Sequence, residues 1–173
     1  MRDRAGPEGA MEVGEEFASY MSARWTGLVR SLVMLGCEAH EAEDVVQTAL
    51  VRCYSAWDRV SRADDPDAYV YRSVLNVWAK SRRRRWWGER PTKVLPDPGM
   101  ADGAEAVPVR RDIERALGRL SSEHRAVLVL RFVADLSEAQ VAEVLGIPPG
   151  TVKSRTARAI ARIDLADLRE ELS

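Results

Sequence analysis

The chain has 173 residues, 46% of them hydrophobic, which is enough for one large or two small globular domains. Its 26 basic and 27 acidic residues leave a net charge of −1, no apolar run approaches a membrane span, and the N-terminal MRDRAGPEGA lacks the apolar core of a secretory signal. Membrane insertion and export are therefore not expected, and the cytoplasm is. Charge is unevenly spread: residues 1–70 carry 7 basic and 13 acidic groups, residues 71–93 carry 8 and 1, and the remaining 80 residues carry 11 and 13. A concentrated basic patch on a near-neutral chain is the electrostatic footprint of a nucleic-acid binder. Cys37 and Cys53 lie far apart and form no disulfide framework. Cys37 and His40 have a ligand-like spacing, but the other histidine, His124, is distant, so neither a metal site nor a cofactor is expected.

No sustained two-residue alternation occurs, and the chain reads as all-α. Residues 1–11 are expected to be a disordered leader. Glu15 to Leu35 then places Phe17, Met21, Trp25, Leu28, Leu32 and Leu35 on one helical face, closed by Gly36. A second helix over Glu41–Trp57 turns Val46, Ala49, Leu50, Cys53 and Trp57 inward and leaves Asp44, Thr48, Arg52 and Ser55 opposite, with Gln47 on the flank. After a loop containing Ser61, Asp64 and Asp65, a third helix begins with Asp65 as N-cap, Pro66 in the first turn and acidic Asp67 beside it. Its inward residues are Val70, Val74 and Val77. Arg72, Asn76, Lys80 and Arg83 recur on a separate face, which runs into the Arg82–Arg85 cluster. Those arginines cannot all be core; a phosphate-facing run is favoured over a merely solvated one. Trp86 and Trp87 suit packing better than stacking.

Residues 88–109 hold four of the eight prolines and three glycines without a helical stripe, the composition of a flexible linker, made acidic by Asp97, Asp102 and Glu105. The expected domains are thus residues 12–87, a bundle of three to four helices, and residues 110–168, followed by a tail at 169–173. In the second domain Arg110–Leu120 is one short helix. Ser121 caps another, with Val127, Leu128, Leu130 and Phe132 as its apolar content. The stretch LSEAQVAEVLGIPPGTVKSRTARAIARI, residues 136–163, then reads as a helix-turn-helix. Ser137 and Gln140 form a capping box, Val141, Val144 and Leu145 an apolar stripe with small Ala142 for close crossing, and Gly146 a left-handed stop. Pro149 opens the second helix, whose start presents Thr151, Lys153 and Ser154 where a recognition helix meets base edges.

These motifs together resemble the bacterial sigma factors of the extracytoplasmic-function type, which keep only the second and fourth conserved domains. AEDVVQTALVRCYSAW (residues 42–57) is similar to the helix by which that family binds the clamp of RNA polymerase. DDPDAYVYRSVLNVWAKSRRRR (residues 64–85) is similar to its −10 promoter-reading and melting segment. RAVLVLRFVADLSEAQVAEVLGIPPGTVKSRTARAIARI (residues 125–163) is similar to its −35-binding domain.

The resemblance implies a non-enzymatic initiation factor that directs core polymerase to promoters and opens the −10 region. Its partners would be promoter DNA, the clamp of the largest subunit and the flap of the second-largest, with an anti-sigma factor as a further candidate. Asp44, Gln47, Thr48 and Arg52 would face the polymerase, although Thr48 stands where the family most often has a carboxylate. Asp64, Tyr69, Arg72, Asn76, Lys80 and Arg83 would serve −10 DNA, Asn76 at a base edge. The loop Val60–Asp65 would receive a base flipped from the non-template strand, with Tyr69 either stacking on it or lying in the core. Thr151, Lys153, Ser154, Arg155, Ala157 and Arg158 would meet the −35 element; many members carry a larger side chain at Ala157. The linker carboxylates would imitate nucleic acid inside a basic channel, or simply solubilise. Two rivals stand beside this reading: a stand-alone helix-turn-helix regulator that never touches polymerase, and a scaffold that keeps the fold for protein binding alone.

Overall fold

The computed structural model describes residues 7–88 and 108–171, with side chains over 13–83 and 112–163. The N-terminal unit comprises α1 (Pro7–Met34), α2 (Ala39–Tyr54), the single turn α3 (Trp57–Val60) and α4 (Pro66–Gly88). α1 begins inside the stretch expected to be disordered. Its C-terminal stop follows the sequence: Gly36 has φ +101°, a conformation that only glycine adopts without strain. The expected second helix is broken in two after Tyr54, and the second piece carries Trp57 and Val60 into the core at 3% and 1% exposure. Val60 is therefore core, not part of a base-receiving loop. Val46, Ala49, Leu50 and Cys53 of α2 meet Val70, Val74 and Val77 of α4, all buried. Asp65 caps α4 as the sequence predicts, its Oδ1 accepting from the Ala68 amide at 3.0 Å. Glu41 was not anticipated: it is buried at the start of α2 and accepts a hydrogen bond from Ser81 Oγ at 3.0 Å, tying α2 to α4.

The C-terminal unit comprises α5 (Pro108–Gly118), α6 (Ser122–Leu128) running into a π-helical turn at Val129–Val133, α7 (Glu138–Leu145) and α8 (Pro149–Glu171). The ends of the expected 88–109 linker thus belong to helices; Asp97, Asp102 and Glu105 lie outside the described residues, as do the side chains of Arg84, Arg85, Trp86 and Trp87. Ser121 caps α6, and the Ser137–Gln140 capping box is complete in both directions, at 3.2 and 2.6 Å. Gly146 closes α7 at φ 65°, ψ 37°. One expectation fails here. Val127, Leu128 and Leu130 are buried, but Phe132 is 63% exposed, because the π turn inserts an extra residue and rotates the following side chains off the core stripe.

The two units pack together. Val127, Leu130, Leu136, Val141, Ala142, Val144 and Val152 belong to the same apolar cluster as the core of the N-terminal unit, and α7 lies against α4. Met34, at the end of α1, is buried with Leu117, Leu120, Leu128, Val129 and Ala159 of the C-terminal unit. Arg125 bridges the seam. Its Nε and Nη2 donate to the carbonyls of Leu117 and Gly118 at 2.9 and 3.0 Å, and Nη1 reaches the Leu35 carbonyl at 3.5 Å. Guanidinium at the carbonyl ends of two helices satisfies orphan acceptors and complements their dipoles. Among the described residues no helix is long and apolar enough to cross a membrane.

Candidate nucleic-acid interface

Burial of one stripe on each helix decides what the opposite stripe presents. On α2 the inward turn of Val45, Val46, Ala49, Leu50 and Cys53 leaves Asp44, Gln47, Thr48 and Arg52 exposed, as expected from their positions. The structure adds two side chains that the sequence pattern did not single out: Val51 and Tyr54 are 62% and 50% exposed on the same helix. With Gly14, Phe17, Met21 and Trp25 of α1, and with Gln47 and Leu50, they line an apolar groove of about 400 Å³. Exposed Val51, one position from the buried Leu50, was the available signal: a valine outside the inward stripe has no reason in the core.

On α4 the same logic separates the valines from Arg72, Asn76, Lys80 and Arg83, all four exposed. Tyr69 is half-buried against the core. The neighbouring Trp78 carries Arg82 over its ring at 5.4 Å, which holds that arginine beside the basic face. The turn ahead of α4 opens onto a pocket of about 630 Å³, lined by Tyr20 and Arg24 of α1, Trp57, and Ser61, Asp64, Asp65, Pro66 and Asp67 of the turn and helix start, with Glu16, Ser19 and Gln140 completing it. Its wall is fixed by Asp67, which accepts from the Tyr20 hydroxyl at 2.7 Å and pairs with Arg24. Burial, then the bond to Asp67, pushes the Tyr20 phenol far above its ordinary value, so it remains a donor. Trp57 is almost fully buried, and its Nε1–H has no partner among the described residues. Carboxylates beside aromatic rings around one cavity suit a planar ligand that offers hydrogen-bond donors.

On α8, Val152 and Ala159 are fully buried, and the face between them leaves Lys153, Ser154, Ala157 and Arg158 exposed, with Thr151 half-buried. Ser154 Oγ donates back to the Thr151 carbonyl at 3.1 Å. Arg155 differs from its neighbours: it pairs with Glu123 of α6 at 3.0 Å, and its side chain is only 25% exposed. That ion pair ties α6 to α8. The α4 and α8 faces are thus two separate sets of polar and basic side chains, each opposite a buried apolar stripe.

Residues 21–88 match the family model for sigma-70 region 2, and residues 110–163 match that for sigma-70, region 4. The chain is 38% identical over 162 residues to an RNA polymerase sigma-E factor of Streptomyces avermitilis, covering 91% of this chain and 85% of that protein. It is 34% identical over 143 residues to the ECF RNA polymerase sigma factor SigL of Mycobacterium tuberculosis, covering 80% and 81%. Its fold is similar to that of the sigma factor RpoE in its complex with the anti-sigma factor NepR from Bartonella quintana, with a TM-score of 0.66 at 22% identity over 86% of this chain and 94% of that one. With both sigma-70 regions present in order on one all-helical chain, the protein belongs to the ECF sigma factors of RNA polymerase.

Proposed function

We propose that this sigma factor docks on the clamp of core RNA polymerase through the exposed face of α2, engages the −10 strand with α4 and the pocket ahead of it, and reads the −35 element with the start of α8. The observation that carries the reading is the pair of separate exposed faces, Arg72–Asn76–Lys80–Arg83 and Lys153–Ser154–Arg158, on one chain. Asp44, Gln47, Thr48 and Arg52 surround Val51 and Tyr54, a polar rim around apolar anchors, which is the composition of a protein-binding patch. A stand-alone regulator has no use for that patch.

At the −10 element the basic residues follow phosphates, and Asn76 offers a donor and an acceptor to a base edge. Extruding a base costs a few kcal/mol. The pocket offsets that cost: Asp64 and Asp65 accept from exocyclic amines, and the ring of Tyr20 adds apolar wall. Tyr69, half-buried in the core, positions α4. At the −35 element Lys153 and Arg158 supply the charged contacts, Ser154 and Thr151 the polar ones, and Ala157 an apolar surface. Arg155 acts there through its pairing with Glu123. The C-terminal unit meets the flap of the second-largest subunit. An anti-sigma factor, the type of partner named for RpoE of Bartonella quintana, competes for the α2 face. The site of action is the cytoplasm, where polymerase and promoter are.

Run-off transcription with purified core polymerase on a promoter library tests the reading. Initiation from a defined subset, only when this chain is added, is the expected result. Sequence-specific DNA binding without polymerase-dependent initiation would give the role to the stand-alone regulator.

A further inference from the structure

Charge in the pocket ahead of α4 is one-sided. Glu16, Asp64, Asp65 and Asp67 line it, and Arg24 is the one cation among its described lining residues. That cation is already engaged, since Asp67 pairs with it at 2.5 Å. A phosphate is repelled from such a cavity, while Arg72, Lys80 and Arg83 of α4 are exposed to receive one. A strand lying along α4 is thereby oriented with its backbone on the helix and a base toward the pocket.

Hydrogen-bonding capacity in the cavity is biased the same way. The Tyr20 hydroxyl donates to Asp67 Oδ1 at 2.7 Å, and Arg24 Nη2 donates to Oδ2, so the phenol and the guanidinium are both held by one carboxylate. Asp65 gives its Oδ1 to the Ala68 amide at 3.0 Å. Glu16 and Asp64 are exposed, and neither has a hydrogen bond or ion pair among the described residues. Asp64 is the better placed of the two: its side chain is shorter, and its neighbours are the capping Asp65 and then Pro66, whose φ is fixed. Ser19, Ser61 and Gln140 offer donors and acceptors alike and favour no base.

An ionised carboxylate only accepts hydrogen bonds. Adenine, cytosine and guanine each carry an exocyclic amine that can donate to it, whereas thymine carries oxygen in place of the amine. The amine makes a charge-assisted bond with the carboxylate; the thymine oxygen meets a like partial charge. We propose that the pocket selects a −10 base bearing an exocyclic amine and rejects thymine, with Asp64 as the side chain that sets this preference. The inference rests on reading the pocket as the site of the flipped −10 base.

The test uses the full chain assembled with core polymerase and a single-stranded −10 non-template oligonucleotide from a promoter that it initiates. 2-Aminopurine placed at each position in turn brightens where a base leaves the stack, which locates the flipped position. There, 5-methylcytosine is compared with thymine, two bases of the same outline that differ in whether position 4 carries an amine or an oxygen. The parent holoenzyme should bind the 5-methylcytosine strand at least about fivefold more tightly. Asp64→Asn, whose amide can both donate and accept, should bring the two strands within about twofold of each other. Asp58→Asn, an exposed carboxylate of α3 that does not line this pocket, should keep the parent ratio. Thymine bound as tightly as 5-methylcytosine by the parent would overturn the proposal, and a ratio unmoved by Asp64→Asn would remove Asp64 from it. No brightening at any position would overturn the reading of the pocket itself, an outcome distinct from a flipped position that shows no preference.

Discussion

Asp67 shows how much one carboxylate organises. Lying in the first turn of α4, where the helix dipole favours it, it accepts from Tyr20 and pairs with Arg24, so α1 is fixed against the turn that carries Asp64 and Asp65. The Arg24 side chain is half exposed, and solvent screening keeps that ion pair weak; the part-buried Tyr20 hydroxyl is the stronger tie. Tyr20→Phe should cost about 1 kcal/mol in urea unfolding, and the loss should be constant between pH 5 and 9 because the raised phenol does not titrate there. A loss that vanished as pH rose would mean that the hydroxyl ionises, against the burial described. Arg158 tests a different residue-scale statement. If it reads a guanine edge, Arg158→Ala should cost roughly 1–3 kcal/mol and relax preference at one base pair in selections on randomised −35 elements. Unchanged preference with a shallower salt dependence would make it a phosphate contact.

Among the elements, α2 has to satisfy two masters. Its inner stripe is fully buried, so its outer stripe is free to vary in chemistry without unfolding the bundle. Asp44→Ala with Gln47→Ala should therefore weaken core-polymerase binding in a pull-down while changing stability by under about 0.5 kcal/mol for each surface substitution. Core enzyme retained at the parent level would remove these two residues from the docking face and leave Val51 and Tyr54. α7 has the opposite character, since both its start and its surroundings are fixed. Ser137→Ala breaks the capping box and should destabilise the chain by about 0.5–2 kcal/mol in denaturant unfolding. A cost near zero would mean that α7 is held by its packing on α4 and α8 alone.

For the whole molecule, the seam between units is where apolar packing and one guanidinium meet. Arg125 satisfies carbonyls at the ends of α5 and α1, and Gly36 gives it room: a Cβ there would lie 3.1 Å from Arg125 Nη1, on a backbone already at φ +101°. Arg125→Ala should enlarge the radius of gyration measured by X-ray scattering, because the tie to Leu35 is lost while the shared apolar cluster remains. An unchanged radius would assign the docking to that cluster, in which each fully buried valine or leucine contributes about 1.5–3 kcal/mol.

Much of this was legible in the sequence because it is encoded over three or four residues. The valines of α4, the caps at Asp65, Ser121 and Ser137, and the stops at Gly36 and Gly146 follow from periodicity and from which groups satisfy orphan amides. So do the exposed polar faces of α2, α4 and α8, each the complement of a buried stripe. The family's motifs lie on those same stretches. The tertiary structure alone decided three things. The π turn that expels Phe132 leaves the residue types of an ordinary helix and changes only the register. The burial of Trp57, whose indole N–H has no partner among the described residues, depends on α3 breaking away from α2. The docking of α7 on α4 pairs segments some seventy residues apart. Val141, Ala142 and Val144 read as the interior of a helix-turn-helix whichever surface they meet, because hydrophobic burial is non-directional and a helical stripe specifies that it must be covered, not by what.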